Sequence, residues 1–508
     1  MRLVQKKTFL FFYIFTVGIA TMGLEMSASR LFAPHLGATM VVWAALIGVI
    51  LLALAGGYVW GGRLADRYPR PQVIFWITLA VGLWIAAIPI TAPHLIKAIG
   101  SIGLTGVAWL ATVSIICSVV LLGPPIMGLG MVTPFVLRLI LDKVSRAGEV
   151  AGGMFAISTT GNILGVFLPT LVTIPLLGTW QTIEGMAGLL IIVSIIGLGA
   201  KSAPGLLLAV PFFFFNPQLQ SASKNHELVT GRDSFYQFVR VEKDIHGPAR
   251  YLVTNEGGGT QSVAGTPGLY AKGYWDYFPP LVSLAGGEGQ KKVLVLGSAG
   301  GTIARQIRRL VPGHPLIIGV EIDPLVIEYG YRYFDNKSYD QVISADGRRY
   351  LQESDQQYDL IIVDAYSQQM YIPFHMATKE FFRLAQNDLA DGGILAMNVG
   401  VFSANSKLML NIASTLKDVF QYLYVVPLPH SFSYVMIASD KALDWGSWKA
   451  ASLGLEPLVE TMKLLAKEAP DQIGGLVFTD NRAPVEFTTD REYWQFMREV
   501  ARRRDSQL

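Results

Sequence analysis

A succession of apolar segments in the first 215 residues constrains the fold of this chain more than any other feature. The first runs from Thr8 to Met22, and the later ones cover roughly 40–60, 72–92, 106–122, 124–141, 152–176 and 181–199. Helical segments of about 20 apolar residues match the thickness of a bilayer core. With Leu206–Phe215 as a short further candidate, residues 1–215 are predicted to form a multi-pass α-helical membrane domain with six to eight spans.

Charge divides the chain into two unlike parts. Residues 1–215 carry twelve Lys or Arg and five Asp or Glu, whereas the remainder carries 29 and 33. Basic residues in short loops favour the cytoplasmic side, which predicts a cytoplasmic N-terminus and, after an even number of spans, a cytoplasmic second part. The near-neutral charge and the lack of a basic stripe argue against a nucleic-acid partner. The single cysteine, Cys117, excludes a disulfide framework within the chain.

One stretch fits this topology poorly. Arg138, Lys143 and Arg146 favour the cytoplasmic side, which conflicts with dividing 106–141 into two full spans. The run Gly123-Pro124-Pro125 in its middle is therefore expected to mark a kink or a re-entrant break.

The stretch Lys291–Gly400 has the pattern of alternating strands and helices. The apolar run Val293–Leu296 enters a turn of small residues, Gly297-Ser298-Ala299-Gly300-Gly301, and a helical pattern follows. A buried strand, a glycine turn and a helix N-terminus form the anion- and nucleotide-binding start of many βαβ units. A glycine cluster alone is equally consistent with a packing turn.

Acidic residues follow three later strands of this pattern. Three apolar runs end at acids: Leu316–Val320 at Glu321-Ile322-Asp323, Gln341–Ala345 at Asp346-Gly347, and Tyr358–Val363 at Asp364. Ligands of open α/β sheets lie outside the carboxyl ends of the strands, where an acid commonly holds ribose hydroxyls. One such acid alone is consistent with a helix cap. Three of them together predict a site for an adenosine-type cofactor.

A smaller β unit precedes this stretch. Glu227–Val241, which contains Tyr236 and Gln237, has a strand pattern, and Arg250–Thr254 with Thr260–Val263 has the pattern of a hairpin that includes Gln261. Tyr274, Trp275, Asp276 and Tyr277 follow. Aromatic rings beside an acid hold an organic cation in some proteins, and in others they form the seam between two subdomains.

These segments together resemble the spermidine synthase (polyamine aminopropyltransferase) family, in its membrane-fused multi-pass branch. The resemblance is carried by Val293–Arg305, Val320–Asp323, Asp346-Gly347, Tyr358–Asp364, Ile372-Pro373, Thr378–Phe382, Asn398-Val399, Thr479–Glu486 and, in the apolar part, Gly23–Glu25, Arg30, Gly37 and Gly62–Arg67. It implies an N-terminal α-helical polytopic membrane domain over 1–215 and a small antiparallel β unit over 225–285. An α/β Rossmann-like domain of the class I methyltransferase type would follow over 286–500.

By this resemblance the chain would transfer an aminopropyl group from decarboxylated S-adenosylmethionine to an amine such as putrescine. No metal is expected, because the sequence has neither paired Cys nor a His-x-x-x-His spacing. Asp364 would be the catalytic base, Glu321 would hold the ribose hydroxyls and Asp346 the adenine amino group. The other donor-site residues would be Gly297, Ser298, Gly300, Gly301, Asp323, Gly347 and Gln261. The substrate-side residues would be Tyr236, Gln237, Tyr274, Asp276, Tyr366 and Asp480, the last of which is equally consistent with a helix cap. The resemblance also implies a possible homodimer.

Two positions depart from the family pattern. Gly300 and Ser367 stand where the family usually has acids. Their loss removes charge pairing with cationic amines and also removes repulsion against the carboxylate of intact S-adenosylmethionine. One alternative is therefore a methyl or aminocarboxypropyl transferase that uses intact S-adenosylmethionine on a lipid or another membrane-borne acceptor. A second alternative is a transporter or sensor that binds a nucleoside without turnover.

Overall fold

The computed structural model describes residues 7–36, 40–100, 107–141, 146–199, 225–254, 259–266, 268–286, 289–367, 371–401, 406–429, 433–445, 456–470, 473–493 and 495. The chain divides into two compact units. The helical unit comprises Met1–Gln220 and Arg232–Gln237, and the α/β unit comprises Ser221–Gly231 and Phe238–Leu508.

The helical unit is built from apolar helices. In chain order they are α1 (Lys7–Leu36), α2 (Met40–Arg67), α3 (Pro71–Gly100), α4 (Val107–Leu121), α5 (Gly123–Gly130), α6 (Val132–Ile140), α7 (Ala147–Leu168), α8 (Ile174–Leu177) and α9 (Thr179–Leu198), with a π-helical turn at Pro169–Thr173. In the part of the chain that the structure describes, six helical stretches are long and apolar enough to cross a membrane. The stretch Leu206–Phe215 lies outside the described residues.

Glycines let α1 and α7 approach closely. A Cβ added to Gly161 or Gly165 of α7 would collide with the carbonyl oxygens of Phe15 and Ile19 on α1. Small residues at such positions let two helix backbones approach closely and make van der Waals contact.

The sequence suggests 106–122 and 124–141 as separate spans, but in the structure α4, α5 and α6 follow one another in a single helical path. Helical hydrogen bonding crosses both breaks, since Ile126 donates to the Leu122 carbonyl over 3.0 Å and Phe135 donates to the Met131 carbonyl over 3.2 Å. Pro124 and Pro125 are tolerated because they lie in the first turn of α5, where a missing N–H breaks no bond within α5.

This single path removes the conflict in the charge pattern. Arg138 of α6 donates to Asp66 of α2 over 3.0 Å, so the basic ends of these two helices lie at the same end of the helical unit. The orientation rule requires this arrangement if α2 and the α4–α6 path each cross a bilayer once.

The α/β unit begins with a small antiparallel sheet. Its strands are β1 (His226–Asp233), β2 (Phe238–Asp244), β3 (Arg250–Thr254) and β4 (Thr260–Ala264), in that order. The strand predicted over Glu227–Val241 is therefore wrong in its middle. The hydroxyl of Ser234 accepts hydrogen bonds from the Tyr236 and Gln237 amides, each over 3.0 Å, and this turn separates β1 from β2.

The larger sheet has eight strands in the order β12-β10-β11-β9-β8-β5-β6-β7. The strands are β5 (Lys292–Leu296), β6 (Leu316–Glu321), β7 (Gln341–Ser344), β8 (Tyr358–Val363), β9 (Leu389–Gly400), β10 (Tyr422–Pro427), β11 (Ser433–Ser439) and β12 (Lys467–Glu468). Strands β5 to β9 pair in parallel, while β10, β11 and β12 add an antiparallel edge.

Helices connect these strands. They are α10 (Pro279–Leu284), α11 (Thr302–Leu310), α12 (Pro324–Tyr333), α13 (Gly347–Glu353), α14 (Lys379–Asn387), α15 (Lys407–Lys417) and α16 (Glu456–Leu465), with short 3-10 turns at Tyr274–Tyr277, Asn336–Ser338 and Phe374–Met376, and residues 485–493 are also helical. Apolar cores cover both faces of the sheet, which explains why β5 and β8 read as continuous apolar runs. The fold predicted for the α/β part, a Rossmann-like domain preceded by a small antiparallel sheet, is confirmed.

Candidate active site

The strand order changes direction beside β5, and this switch brings Gly297 against Asp364. β5 lies between β8 and β6, so the loops after β5 and β8 leave in opposite directions and open a crevice at the carboxyl ends. Gly297 has φ +90°, and an added Cβ would collide with the Asp364 carbonyl oxygen. Glycine is therefore required here both for its backbone conformation and for the close approach of the two loops.

The Asp364 carboxylate is held by two side chains from other segments. The Tyr274 hydroxyl donates to Oδ2 over 3.0 Å, and Nδ2 of Asn398, near the end of β9, donates to Oδ1 over 3.0 Å. Burial raises the pKa of Asp364 to about 7, although both hydrogen bonds act in the opposite direction. Burial and the nearby Asp364 charge also raise the pKa of Tyr274 well above its usual value, so Tyr274 remains a donor. Asp364 thus titrates near neutral pH with a fixed orientation.

Glu321 is anchored by backbone amides at the end of β6. The amide of Ala299 donates to Oε2 over 3.0 Å, and the amide of Asp323 donates to Oε1 over 3.2 Å. Burial raises the pKa of Glu321 to about 7. Asp323 itself caps α12, because its Oδ1 accepts from the Leu325 amide over 3.0 Å. Of these two predicted donor-site acids, Glu321 is thus tied to the glycine turn and Asp323 to a helix N-terminus.

The glycine turn after β5 is fastened to the small sheet. Ser262 on β4 accepts a hydrogen bond from the Gly300 amide over 2.8 Å, and a Cβ added to Gly300 would lie 2.9 Å from the Ser262 Cβ. Gly301 precedes α11 with φ +86°, in the left-handed region that glycine favours. The hydroxyl of Ser298 is buried and has no hydrogen-bond partner within the described ranges. A buried hydroxyl of this kind is available to a bound polar group.

Gln261 lies next to Ser262 on β4. The pairing of β3 with β4 skips Gln261, since Leu252 is opposite Ser262 and Val253 is opposite Thr260. A residue that is skipped in this way forms a β-bulge, which re-aims its side chain. Gln261 is half-buried at this bulge.

Asp346 and Gly347 begin α13 at the end of β7. Asp346 caps this helix by accepting from the Arg349 amide over 2.9 Å, and its other carboxylate oxygen lies 3.3 Å from Nε2 of His375. The hydrogen bond from His375 holds the pKa of Asp346 below its usual value. Unlike Glu321 and Asp364, Asp346 is therefore a stable anion.

Asp480 is linked to this region through Arg348. The Arg348 guanidinium donates to both oxygens of Asp480, over 2.7 and 2.6 Å, and it also donates to the His375 carbonyl over 2.9 Å. The Thr378 hydroxyl adds a further bond of 2.7 Å to Asp480. The carboxylate of Asp480 thus ties the segment around residue 480 to the turn that carries His375.

Two other predicted residues are engaged within the protein. Asp276 is buried, and its carboxylate accepts from the amides of Ala271 and Lys272 over 2.9 and 2.7 Å and from the Gln306 side chain over 2.6 Å. Tyr366 bridges the end of β9, because its hydroxyl donates to the Asn398 carbonyl and accepts from the Gly400 amide. Asp276 therefore fixes the turn that carries Tyr274, and Tyr366 fixes the strand that carries Asn398.

Tyr236 and Gln237 are not among the residues that the α/β unit brings together. They lie in the segment Arg232–Gln237, which belongs to the helical unit. Within that unit, Arg30 of α1 donates to the Phe235 carbonyl, and Asp233 accepts from the Thr179 amide at the start of α9 over 2.8 Å.

Asn398 and Ser262 have clear structural roles that the sequence reasoning did not assign. The Nδ2 atom of Asn398 donates a hydrogen bond to Asp364. Its Oδ1 atom is buried and has no hydrogen-bond partner in the part of the chain that the structure describes. Its position near the carboxyl end of another strand was a usable signal. Nothing in the sequence marks Ser262, because its partner Gly300 is 38 residues away.

The α/β unit is a Rossmann-like domain that carries a cluster of acids at the carboxyl ends of its strands. Residues 280–442 match the family model described as spermine/spermidine synthase domain. The chain thus contains a spermine/spermidine synthase domain that is fused to an N-terminal helical region.

Similar proteins carry related names. A probable polyamine aminopropyl transferase of Bifidobacterium longum is 29% identical over 280 residues, which cover 50% of this chain and 60% of that protein. A polyamine aminopropyltransferase of Vibrio vulnificus is 32% identical over 172 residues, which cover 32% of this chain and 56% of that protein. The chain thus spans little more than half the length of these relatives. Among solved structures, a probable spermidine synthase from Corynebacterium glutamicum aligns with a TM-score of 0.42 at 17% identity, covering 50% of this chain and 97% of that one.

Proposed function

We propose that this protein is a membrane-integrated aminopropyltransferase that uses decarboxylated S-adenosylmethionine and an amine acceptor such as putrescine. The observation that carries the proposal is the Asp364 carboxylate, which is fixed by Tyr274 and Asn398 and titrates near neutral pH. A general base works best when its pKa lies near the working pH. The matched domain and the names of the similar proteins support the same chemistry.

In the proposed reaction, the acceptor nitrogen attacks the carbon next to the sulfonium sulfur of the donor. The new C–N bond forms as the C–S bond breaks, the bonding electrons return to sulfur, and methylthioadenosine leaves. The proton lost from the attacking nitrogen passes to Asp364. Because the sulfonium is already a good leaving group, orientation and deprotonation of the amine are most of the catalytic task.

The remaining donor contacts follow from the strand ends. We assign the ribose hydroxyls of the donor to Glu321 and its adenine amino group to Asp346. The glycine turn after β5, together with Gly347, supplies the backbone that surrounds the donor. Ser298 within that turn and Gln261 on β4 supply polar groups. On the acceptor side we assign Tyr274 as a direct contact. Asp276, Tyr366 and Asp480 act by holding other residues in place.

Intact S-adenosylmethionine is the second candidate donor, and position 300 favours it. An acid at this position would pair with a cationic amine, but Gly300 packs against Ser262 and Phe334, so a larger side chain has no room without a shift. Ser367, at the other departure, pairs with Tyr371 across a short bridge. With neither acid present, the carboxylate of intact S-adenosylmethionine would meet less repulsion. For this second candidate, the acceptor would be a lipid or another membrane-borne molecule, which fits the presence of the helical unit.

We also propose that the six long apolar helices cross the cell membrane and that the α/β unit faces the cytoplasm. Their length and composition support the first statement. The basic ends of α2 and α6, joined by Arg138 and Asp66, support the second because basic loops favour the cytoplasmic side. Membrane lipid is then a constant partner of the helical unit. A homodimer remains part of the proposal on the family resemblance alone.

Mass spectrometry of the nucleoside product tests the function. Purified full-length protein in detergent is given each sulfonium donor with putrescine or with a lipid extract. Methylthioadenosine formed from the decarboxylated donor supports the proposal, and methylthioadenosine formed only from the intact donor supports aminocarboxypropyl transfer. S-adenosylhomocysteine would instead show methyl transfer. Tight donor binding without any nucleoside product would favour a sensor or transporter.

A further inference from the structure

Helix α9 carries a carboxylate that the helical unit leaves unpaired. Glu184 is 1% exposed, and neither carboxylate oxygen has a hydrogen-bond partner among the residues that the structure describes. Its neighbours Ile183 and Ala187 are fully buried. An unpaired carboxylate in such surroundings is costly unless it is neutralised by a proton or by a bound cation. Ionisable groups within apolar helices are for this reason candidates for functional sites.

Trp180 accompanies this carboxylate on the same helix face. It precedes Glu184 by four residues, which is one helical turn, and it is 2% exposed. The face of an indole ring attracts cations, and the attraction grows when water is excluded. A carboxylate and an indole that lie one turn apart in a buried position match the recognition chemistry of an organic ammonium ion.

A metal ion fits this position less well. Hard cations such as Ca²⁺ and Mg²⁺ need several oxygen ligands, and the described part of the chain contains no group of three or more His, Cys, Asp or Glu placed to hold a metal. An ammonium group needs a single anionic partner and gains from an aromatic surface.

We propose that Glu184 and Trp180 form a binding site for an organic ammonium ion within the helical unit. Glu184 supplies the counter-charge, Trp180 supplies the π surface, and the apolar neighbours exclude water. The proposal does not depend on transfer chemistry at Asp364, which lies in the other unit. The amines of the proposed reaction belong to the same chemical class, and putrescine therefore serves as the probe.

Equilibrium dialysis of labelled putrescine against full-length protein in detergent, without a donor, tests this site. We expect E184Q to bind one equivalent fewer than the unmodified protein. E25Q is the matched control, because Glu25 is also an acid in an apolar helix but is only partly buried, and it should retain full binding. Trp180→Leu should weaken putrescine binding at this site by roughly 3- to 30-fold, whereas Trp180→Phe should preserve most of the affinity for putrescine.

Equal stoichiometry in the unmodified protein and E184Q would overturn the proposal and leave Glu184 as a protonated packing residue. Elution as a single species in gel filtration and retained nucleoside production by E184Q would show that the variant is folded. These readouts also separate the two proposals. Loss of the extra putrescine site with no nucleoside product from any protein would contradict the transferase function but not the ammonium site.

Discussion

The Tyr274 hydroxyl donates a hydrogen bond of 3.0 Å to Asp364 Oδ2, across 90 positions of sequence. Tyr274 reaches this point because the buried carboxylate of Asp276 gathers the backbone amides of its turn. Asp364 reaches it because β8 ends beside the glycine turn of β5. Two unrelated local structures thus meet at one carboxylate, which then has one orientation and a pKa near 7.

The first prediction concerns Asp364 as the base. Asp364→Asn should lower the rate of aminopropyl transfer by about 10² to 10⁴-fold, because an amide cannot accept the amine proton. Donor affinity should change little. Asp391→Asn is the matched control, because this carboxylate is exposed and pairs with Lys441 at the surface. Single-turnover rates with saturating donor measure the effect, and a near-normal rate in Asp364→Asn would remove the base role.

The second prediction concerns the tyrosine. Its hydrogen bond lowers the pKa of Asp364, so Tyr274→Phe should raise that pKa above about 7. Because the base acts when it is deprotonated, the acidic limb of the pH–rate profile should move to higher pH and activity at neutral pH should fall. The measurement is kcat/KM as a function of pH.

Tyr277→Phe is the control for this shift. Tyr277 lies in the same 3-10 turn as Tyr274, and its substitution should leave the acidic limb in place. An acidic limb that stays unchanged in Tyr274→Phe, or moves to lower pH, would show that this hydrogen bond does not tune the reacting group.

The sequence alone predicts those parts of the site that depend on local sequence patterns. Apolar strands followed by Glu321, Asp346 and Asp364 place these acids at one edge of a parallel sheet, because parallel strands end together. Asp276 and Asp323 show the limit of this reasoning. An acid in a promising position is also the residue type that captures nearby backbone amides, and both carboxylates are engaged in that way.

Long-range partners could not be predicted. The contacts of Asn398 with Asp364 and of Ser262 with Gly300 depend on how separate segments pack, and no periodicity encodes that. The turn at Ser234 is also not predicted, because the residues on both sides of it have a strand pattern. The Ser234 hydroxyl accepts hydrogen bonds from two backbone amides and so interrupts the strand. In the helical unit, the proline pair suggested a break but left open whether the helical path continues.

The third prediction separates backbone strain from close packing at the glycine turn. Gly297 and Gly289 have nearly equal φ values, +90° and +91°, but only at Gly297 would a Cβ meet another atom of the described structure within 4 Å. Gly289→Ala should cost about 1 kcal/mol, the strain of a left-handed conformation. Gly297→Ala should cost clearly more and should also weaken donor binding, because the added methyl group displaces the Asp364 loop. Thermal unfolding and donor titration of both variants measure the difference, and equal effects would contradict the packing argument.

The fourth prediction concerns stability and pH. Burial raises the pKa of Glu321 from 4.5 to about 7 and that of Asp364 from 3.8 to about 7. At pH values between the unfolded pKa values of 4.5 and 3.8 and the folded value of about 7, the folded protein binds more protons than the unfolded chain. The free energy of unfolding therefore falls as the pH rises through this range. Without donor, the α/β unit should therefore melt at a higher temperature near about pH 5.5 than near about pH 8.

The double variant Glu321→Gln with Asp364→Asn tests whether these two groups cause the slope. Neither amide titrates, so the variant should lose a large part of the difference in melting temperature between the two pH values. Asp391→Asn should keep the full difference in melting temperature, because Asp391 is exposed to solvent even though it pairs with Lys441. A double variant with the slope of the unmodified protein would assign the pH dependence to other groups and would contradict a raised pKa at this site.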